Sequence, residues 1–237
     1  MPMSEANSYL LRRLHSLTGV VPDGVFLLGH LFANSYAVHG PLAYDRVSAR
    51  LAGLPYVVLI EGLGIALPIL VHMVLGTLIL VEAQPNLRRY PTPANARYVL
   101  QRLTGIVLAA YVVVHVWVTR LSPAVLSGDT DLFALMARQL AHPWVFGFYV
   151  LGVVAAAWHF GNGLFGFSIH WGLATGRGAQ RAMGRLGLAV FVVLALVGVN
   201  SLLAFRHRPV GIFERVGISG AGAAPPAAPA PGAEPRR

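Results

Sequence analysis

Five stretches of 20 or more apolar residues divide this chain, at about 17–38, 56–81, 101–121, 143–167 and 184–206. At about 1.5 Å of rise per helical residue, each can cross a hydrocarbon core roughly 30 Å thick. Hydrocarbon offers no partner to a backbone N–H or C=O, so a segment crossing it must pair those groups internally, as a helix does. The expected fold is an all-α integral membrane protein, a bundle of five transmembrane helices over residues 17–206. Composition points the same way, with 56% hydrophobic and 11% charged residues in a chain of 237 and a mean hydropathy of +0.63. A water-soluble domain rarely has such a balance.

A net charge of +9 raises the question of nucleic acid, but all 18 basic residues are Arg and they gather at the ends of the apolar stretches. That placement is the mark of membrane topology, and no nucleic-acid partner is expected. Arg12, Arg13, Arg88, Arg89, Arg97, Arg177, Arg181 and Arg185 lie in the N-terminal segment, in the loop after the second stretch and around the connection after the fourth. The alternate loops hold Arg46, Arg50 and Arg138, offset by Asp45, Asp129 and Asp131. The N-terminal segment 1–16 is therefore expected on the cytoplasmic side and the C-terminus outside, although Arg206 and Arg208 run against the rule. The first stretch carries Asp23 and His30 and lacks a cleavage motif, which marks it as a retained helix. Within the tail 207–237, the Ala-, Pro- and Gly-rich run from Gly217 onwards is expected to be disordered.

The absence of cysteine excludes a protein-held iron–sulfur cluster, a c-type haem attachment, thiolate zinc and any disulfide, leaving nine His as the main metal or haem ligands. His30, His72, His115 and His159 fall inside the first four apolar stretches, one in each, at separations of 42, 43 and 44 residues. Ionisable groups inside a membrane generally face the bundle interior at functional positions. Successive helices run in opposite directions, so depth sorts the four into levels. His30 and His115 lie roughly 20 and 21 Å from the inner surface, and His72 and His159 roughly 24 Å from the outer one. His30 with His115 thus forms an outer pair, and His72 with His159 an inner pair.

Local sequence gives the same pairing, since Leu17-Thr18-Gly19-Val20 and Leu103-Thr104-Gly105-Ile106 precede the outer pair, while His-x-x-x-Gly recurs at His72–Gly76 and His159–Gly163. A glycine one turn from an imidazole leaves room for a flat macrocycle. Two levels of two facing imidazoles are what two six-coordinate haems b require, and such haems pass single electrons without readily binding oxygen. The alternative from the same residues is a haem-free transporter using the histidines as a metal or proton path.

The segments Arg12-Arg13-Leu14-His15-Ser16-Leu17-Thr18-Gly19 through Gly29-His30, Gln101-Arg102-Leu103-Thr104-Gly105 through His115-Val116-Trp117, His72-Met73-Val74-Leu75-Gly76 and Trp158-His159-Phe160-Gly161-Asn162-Gly163 carry a further signal. Together, over roughly Ser8 to Phe205, the chain resembles the cytochrome b558 subunits, the di-haem, five-helix membrane anchors of bacterial succinate:quinone and quinol:fumarate oxidoreductases. The resemblance implies that His30 and His115 ligate the distal haem iron and His72 and His159 the proximal one. It also implies a flavoprotein subunit that oxidises succinate, and an iron–sulfur subunit, both on the cytoplasmic face of the bacterial inner membrane. The quinone it implies is menaquinone rather than ubiquinone. A cytochrome b anchor of another quinone-linked dehydrogenase is the neighbouring alternative.

Several further residues become candidates in this frame. His15, Ser16, Gln101 and Arg102 stand at the cytoplasmic ends of the first and third helices, within reach of proximal haem propionates; for Arg102 an interfacial anchor is the competing role. Glu61 and Asp23 are carboxylates on the faces that carry His72 and His30, and either could exchange protons with quinone, Glu61 near the outer surface and Asp23 further in. A structural hydrogen bond or a partner Arg would equally explain them. Pro68 is expected to kink the second helix. His39, His142, His170 and His207 are expected to be solvated, and Trp117, Trp144 and Trp171 to form an aromatic belt.

Overall fold

The computed structural model describes residues 5–82, 86–128 and 131–206. The tail from 207 onwards, with His207 and Arg208, and Asp129 lie outside the described residues. The described chain is helical throughout, and five helices are long and apolar enough to cross a membrane. They are span one, Ser8–His39; span two, Val57–Val81; span three, Pro93–Leu121; span four, Pro143–His170; and span five, Arg177–Phe205.

The helices extend past the apolar stretches wherever a cap is available. Span three starts at Pro93 because the Thr92 side chain accepts from the Asn95 backbone N–H at 3.3 Å and proline at the first helical position leaves no donor unpaired. Span one is interrupted at Val21, between Glu5–Val20 and Pro22–Ser35, where the missing N–H of Pro22 ends one helical run and opens the next. Span two opens with an α-helical turn, Val57–Leu59, passes through a π-helical segment, Ile60–Ala66, and is α-helical again at Leu67–Val81. Pro68, without an N–H to give, stands just past that change of register. Span three closes on a second π-helical segment, Trp117–Leu121.

Span one packs against spans two and four, span three packs against span four, and span five packs on spans four and one. Spans two and three barely meet. The first four spans therefore occupy the corners of a square whose diagonals join one to three and two to four. Spans four and five approach backbone to backbone at Gly161 and Gly187, where a Cβ on either would collide with the carbonyl oxygen of the other. Small residues bring helices close in lipid, where packing must substitute for the hydrophobic drive available in water. No described residue of span two or span three is fully buried.

Two short helices, Pro41–Ala52 and Leu132–Ala141, cover the end of the bundle away from the N-terminus, in segments the apolar pattern leaves as loops. At 12 and 10 residues they are too short to cross, and they bury one face on the ends of spans four and five. Leu140 is wholly buried, and Tyr44 and Phe133 each pack on Phe205 with ring centroids 5.1 Å apart. Asp131 starts the second of these helices by accepting from the Ala134 N–H at 2.8 Å.

Candidate functional site

The four intramembrane imidazoles meet two by two. The rings of His72 and His159 have centroids 6.1 Å apart at 84°, and those of His30 and His115 lie 5.7 Å apart at 83°. Each pair joins helices on a diagonal of the square, in its interior. Two imidazoles that each held one metal through a bond of about 2 Å would have ring centroids about 6 Å apart. The two separations accommodate that arrangement.

The pair nearer the N-terminal end is held from behind. His72 Nδ1 lies 2.9 Å from the His15 carbonyl and 3.3 Å from Thr18 Oγ1, and His159 Nδ1 lies 3.2 Å from Thr104 Oγ1. Thr18 gives its proton to the carbonyls of Leu14 and His15, and Thr104 to those of Leu100 and Gln101. Each hydroxyl then has only a lone pair to offer, so Nδ1–H donates and Nε2 is left basic. Metal-binding histidines commonly have their other ring N–H held by an oxygen in this way.

His15 stacks on His72, with centroids 3.9 Å apart and planes at 19°, and its Nδ1 lies 3.1 Å from the His72 carbonyl. Gln101 does the equivalent in span three, donating to the His159 carbonyl at 3.0 Å and accepting from Asn162 at 2.8 Å, while Asn162 accepts from Arg97 at 3.0 Å. His15, Thr18 and Gly19 each precede Gln101, Thr104 and Gly105 by 86 residues, and His72 and Gly76 precede His159 and Gly163 by 87. Spans one and two are thus repeated, in sequence and in contact, by spans three and four.

The glycines differ from expectation. The room beside Gly76 and Gly163 is taken by His15 and Gln101, with a Cβ at Gly76 falling 3.0 Å from the His15 ring and one at Gly163 falling 3.8 Å from Gln101 Nε2. The glycines that admit the imidazoles themselves are Gly19, where a Cβ would collide with His72, and Gly105, where it would fall 3.2 Å from His159.

At the other level, Tyr111 stacks on His115 at 5.4 Å and Tyr149 meets it edge-on at 5.7 Å. His115 Nδ1 is buried without a hydrogen-bond partner among the described residues. Asn34 donates to the His30 carbonyl at 2.8 Å and its amide nitrogen lies 3.3 Å from His30 Nε2. A buried, unpartnered ring nitrogen is costly in a protein interior, and ligation nearby is one use for such a ring.

Of the residues expected near propionates, Ser16 donates to the Arg13 carbonyl at 2.9 Å and accepts from Trp171 at 3.2 Å, and His15 and Gln101 bridge helices as described. Arg102 lies over the Tyr98 ring at 3.3 Å and donates to the Tyr98 carbonyl at 3.0 Å, while its buried Nε has no partner among the described residues. Glu61 is paired: Arg120 reaches one carboxylate oxygen through Nη2 at 2.6 Å and Nε at 3.2 Å, both residues lying in the π-helical segments. Asp23 sits in the first turn after Pro22, at the positive end of that helical run, with Oδ1 buried and unpartnered among the described residues. His39, His142 and His170 are exposed, as are Trp117 at 59% and Trp144 at 91%, whereas Trp171 lies under Arg13 at 4.1 Å.

Sequence reasoning assigned no role to Thr18, Thr104, Asn34, Tyr111, Arg120 or Asn162. The 86-residue recurrence of the Thr-Gly pair was the available signal for the first two.

Five apolar helices with imidazoles facing each other in twos define a class of polytopic membrane protein built around intramembrane histidine pairs. Among the described residues, no cluster of three or more His, Asp or Glu side chains forms a metal cage. The chain belongs to the succinate dehydrogenase/fumarate reductase transmembrane subunit family, whose model matches residues 82–200. It is 38% identical over 203 residues to the succinate dehydrogenase cytochrome b558 subunit of Bacillus subtilis (strain 168), covering 86% of this chain and 100% of that protein. It is a multi-pass protein of the bacterial inner membrane.

Proposed function

We propose that this chain is the cytochrome b membrane anchor of a succinate:quinone oxidoreductase and holds two haems b, one between His72 and His159 and one between His30 and His115. The observation that carries the reading is the meeting of these imidazoles at 6.1 and 5.7 Å across the two diagonals. Haem b with two axial imidazoles supplies one-electron transfer with no open position for oxygen. The chain's own residues hold and orient. Thr18, Thr104 and the His15 carbonyl fix the Nδ1–H of His72 and His159, His15 and Gln101 tie the neighbouring helices to the ligand backbones, and Arg102 offers an unused guanidinium N–H to a propionate.

The arginine-rich end faces the cytoplasm and receives the iron–sulfur and flavoprotein subunits. This chain, without cysteine, leaves the clusters to the iron–sulfur subunit and succinate oxidation to the flavoprotein. Electrons pass between the iron–sulfur subunit and a membrane quinone, menaquinone. Glu61, held by Arg120, is the proton-exchanging group for that quinone, with Asp23 as the inner alternative.

Purification in mild detergent, with a reduced-minus-oxidised spectrum, a haem count and identification of the copurifying chains, tests this. Two haems b per chain with a flavoprotein and an iron–sulfur protein are expected, and His30→Leu removes the outer haem while the inner one stays. A colourless preparation overturns the haem reading. A red one with the subunits of another dehydrogenase overturns the assignment of the complex.

A further inference from the structure

At the N-terminal end of the bundle, a shallow, open depression of about 530 Å³ lies between spans three, four and five. Arg97, Arg177, Arg181 and Arg185 line it, and no acidic residue does. The last three recur every fourth residue, so they stack on one face of span five, where like charges repel. The first of them begins the helix, whose positive dipole end adds to the same field. None of the four makes an ion pair among the described residues. Arg97 is fixed in place by its bond to Asn162 and by the Phe165 ring 4.5 Å beneath it.

A second feature tells which anion. The depression is continuous at Arg97, Gly184 and Leu188 with a groove of about 250 Å³ that runs along the span four–span five seam to Trp158 and Phe191. Gly184 and Gly187 are among the residues that line that groove. The arginine stripe covers roughly 12 Å of helix axis, enough to pass through a headgroup layer, and the groove continues from it toward the apolar middle of spans four and five. A soluble subunit cannot follow it into the membrane, and inorganic phosphate has no use for it.

We propose that this is a binding site for an anionic phospholipid of the leaflet at the N-terminal end, with the phosphate among the arginines and an acyl chain in the groove. Cardiolipin, with two phosphates, matches the four guanidinium groups best in charge, followed by phosphatidylglycerol. The proposal rests on the spans and the pocket and is independent of the haem reading.

Native mass spectrometry of the purified complex, delipidated and titrated with cardiolipin, phosphatidylglycerol or phosphatidylcholine, tests it, with the haem spectrum as a check on folding. Retention of one anionic phospholipid and at least tenfold preference over phosphatidylcholine are expected. Arg181→Gln with Arg185→Gln should abolish that preference, and Leu188→Trp, which fills the groove, should weaken lipid binding at unchanged binding of inorganic phosphate. Should the double variant fail to accumulate, Leu188→Trp carries the test alone. Equal binding of phosphatidylcholine, indifference to Leu188→Trp, or displacement of the lipid by inorganic phosphate at similar concentration each overturns the proposal. So does loss of the iron–sulfur subunit from the arginine variants with lipid binding intact, which would make the stripe a protein docking surface.

Discussion

A threonine hydroxyl has one proton, and at Thr104 it goes to the carbonyls of Leu100 and Gln101, so toward His159 the residue can only accept. Thr104→Val keeps the shape and removes the acceptor, leaving the His159 Nδ1–H buried without a partner at a cost of about 1–3 kcal/mol. The expected outcome is a complex that keeps its haem absorbance but shows a shifted midpoint potential for one haem in a redox titration, with Thr104→Ser restoring the original value. A sharper effect belongs to Gly19, where any Cβ meets His72. Gly19→Ala should displace that imidazole and lower haem content in the purified complex, whereas Gly105→Ala, with its neighbour at 3.2 Å, should be milder. Equal losses from the two would contradict the geometry. The four histidines were legible in the sequence because hydrocarbon tolerates few polar side chains, so each one in a span stands out. The threonines were not, because a hydroxyl bonded to its own helix is unremarkable in a sequence until the facing ring is seen. The glycine one turn from His72 was legible as a space, but which side chain fills it depends on packing.

The spans were legible because a bilayer sets a length and an apolar stretch either meets it or does not. The two short helices over the far end were not, since 10 to 12 residues with one apolar face read equally well as loop until spans four and five offer that face a surface. Leu140, wholly buried there, ties Leu132–Ala141 to the bundle. Leu140→Ala should cost about 2–5 kcal/mol by the usual price of a core cavity, visible as a lowered thermal midpoint of the detergent-solubilised complex. The close approach of spans four and five makes a separate demand. Gly187→Leu cannot be absorbed by a rotamer change, because the obstacle is the Gly161 backbone. It should destabilise the complex by at least about 1–3 kcal/mol, seen as faster loss of haem absorbance on heating.

Across the whole molecule, the proposed role of Glu61, paired with Arg120, can be tested by separating succinate oxidation from quinone reduction. Glu61→Gln should leave succinate oxidation with a soluble dye acceptor unchanged and lower quinone reduction by about 100-fold, the low end for losing a proton-transfer group. Equal loss in both assays would move Glu61 from quinone chemistry to assembly. The square of spans follows from contacts between distant parts of the chain, and one sequence contains no record of which helices are neighbours. Alternating depth could pair the histidines by height, while only the packing makes those pairs diagonals.

Span five supports one flank of that square, along spans four and one, and among the described residues no further span packs on the other. The wall formed by spans two and three is therefore completed by the bilayer itself. On the proposed reading, an oily electron carrier diffusing in the plane of the membrane would reach the imidazoles from this side without passing through water.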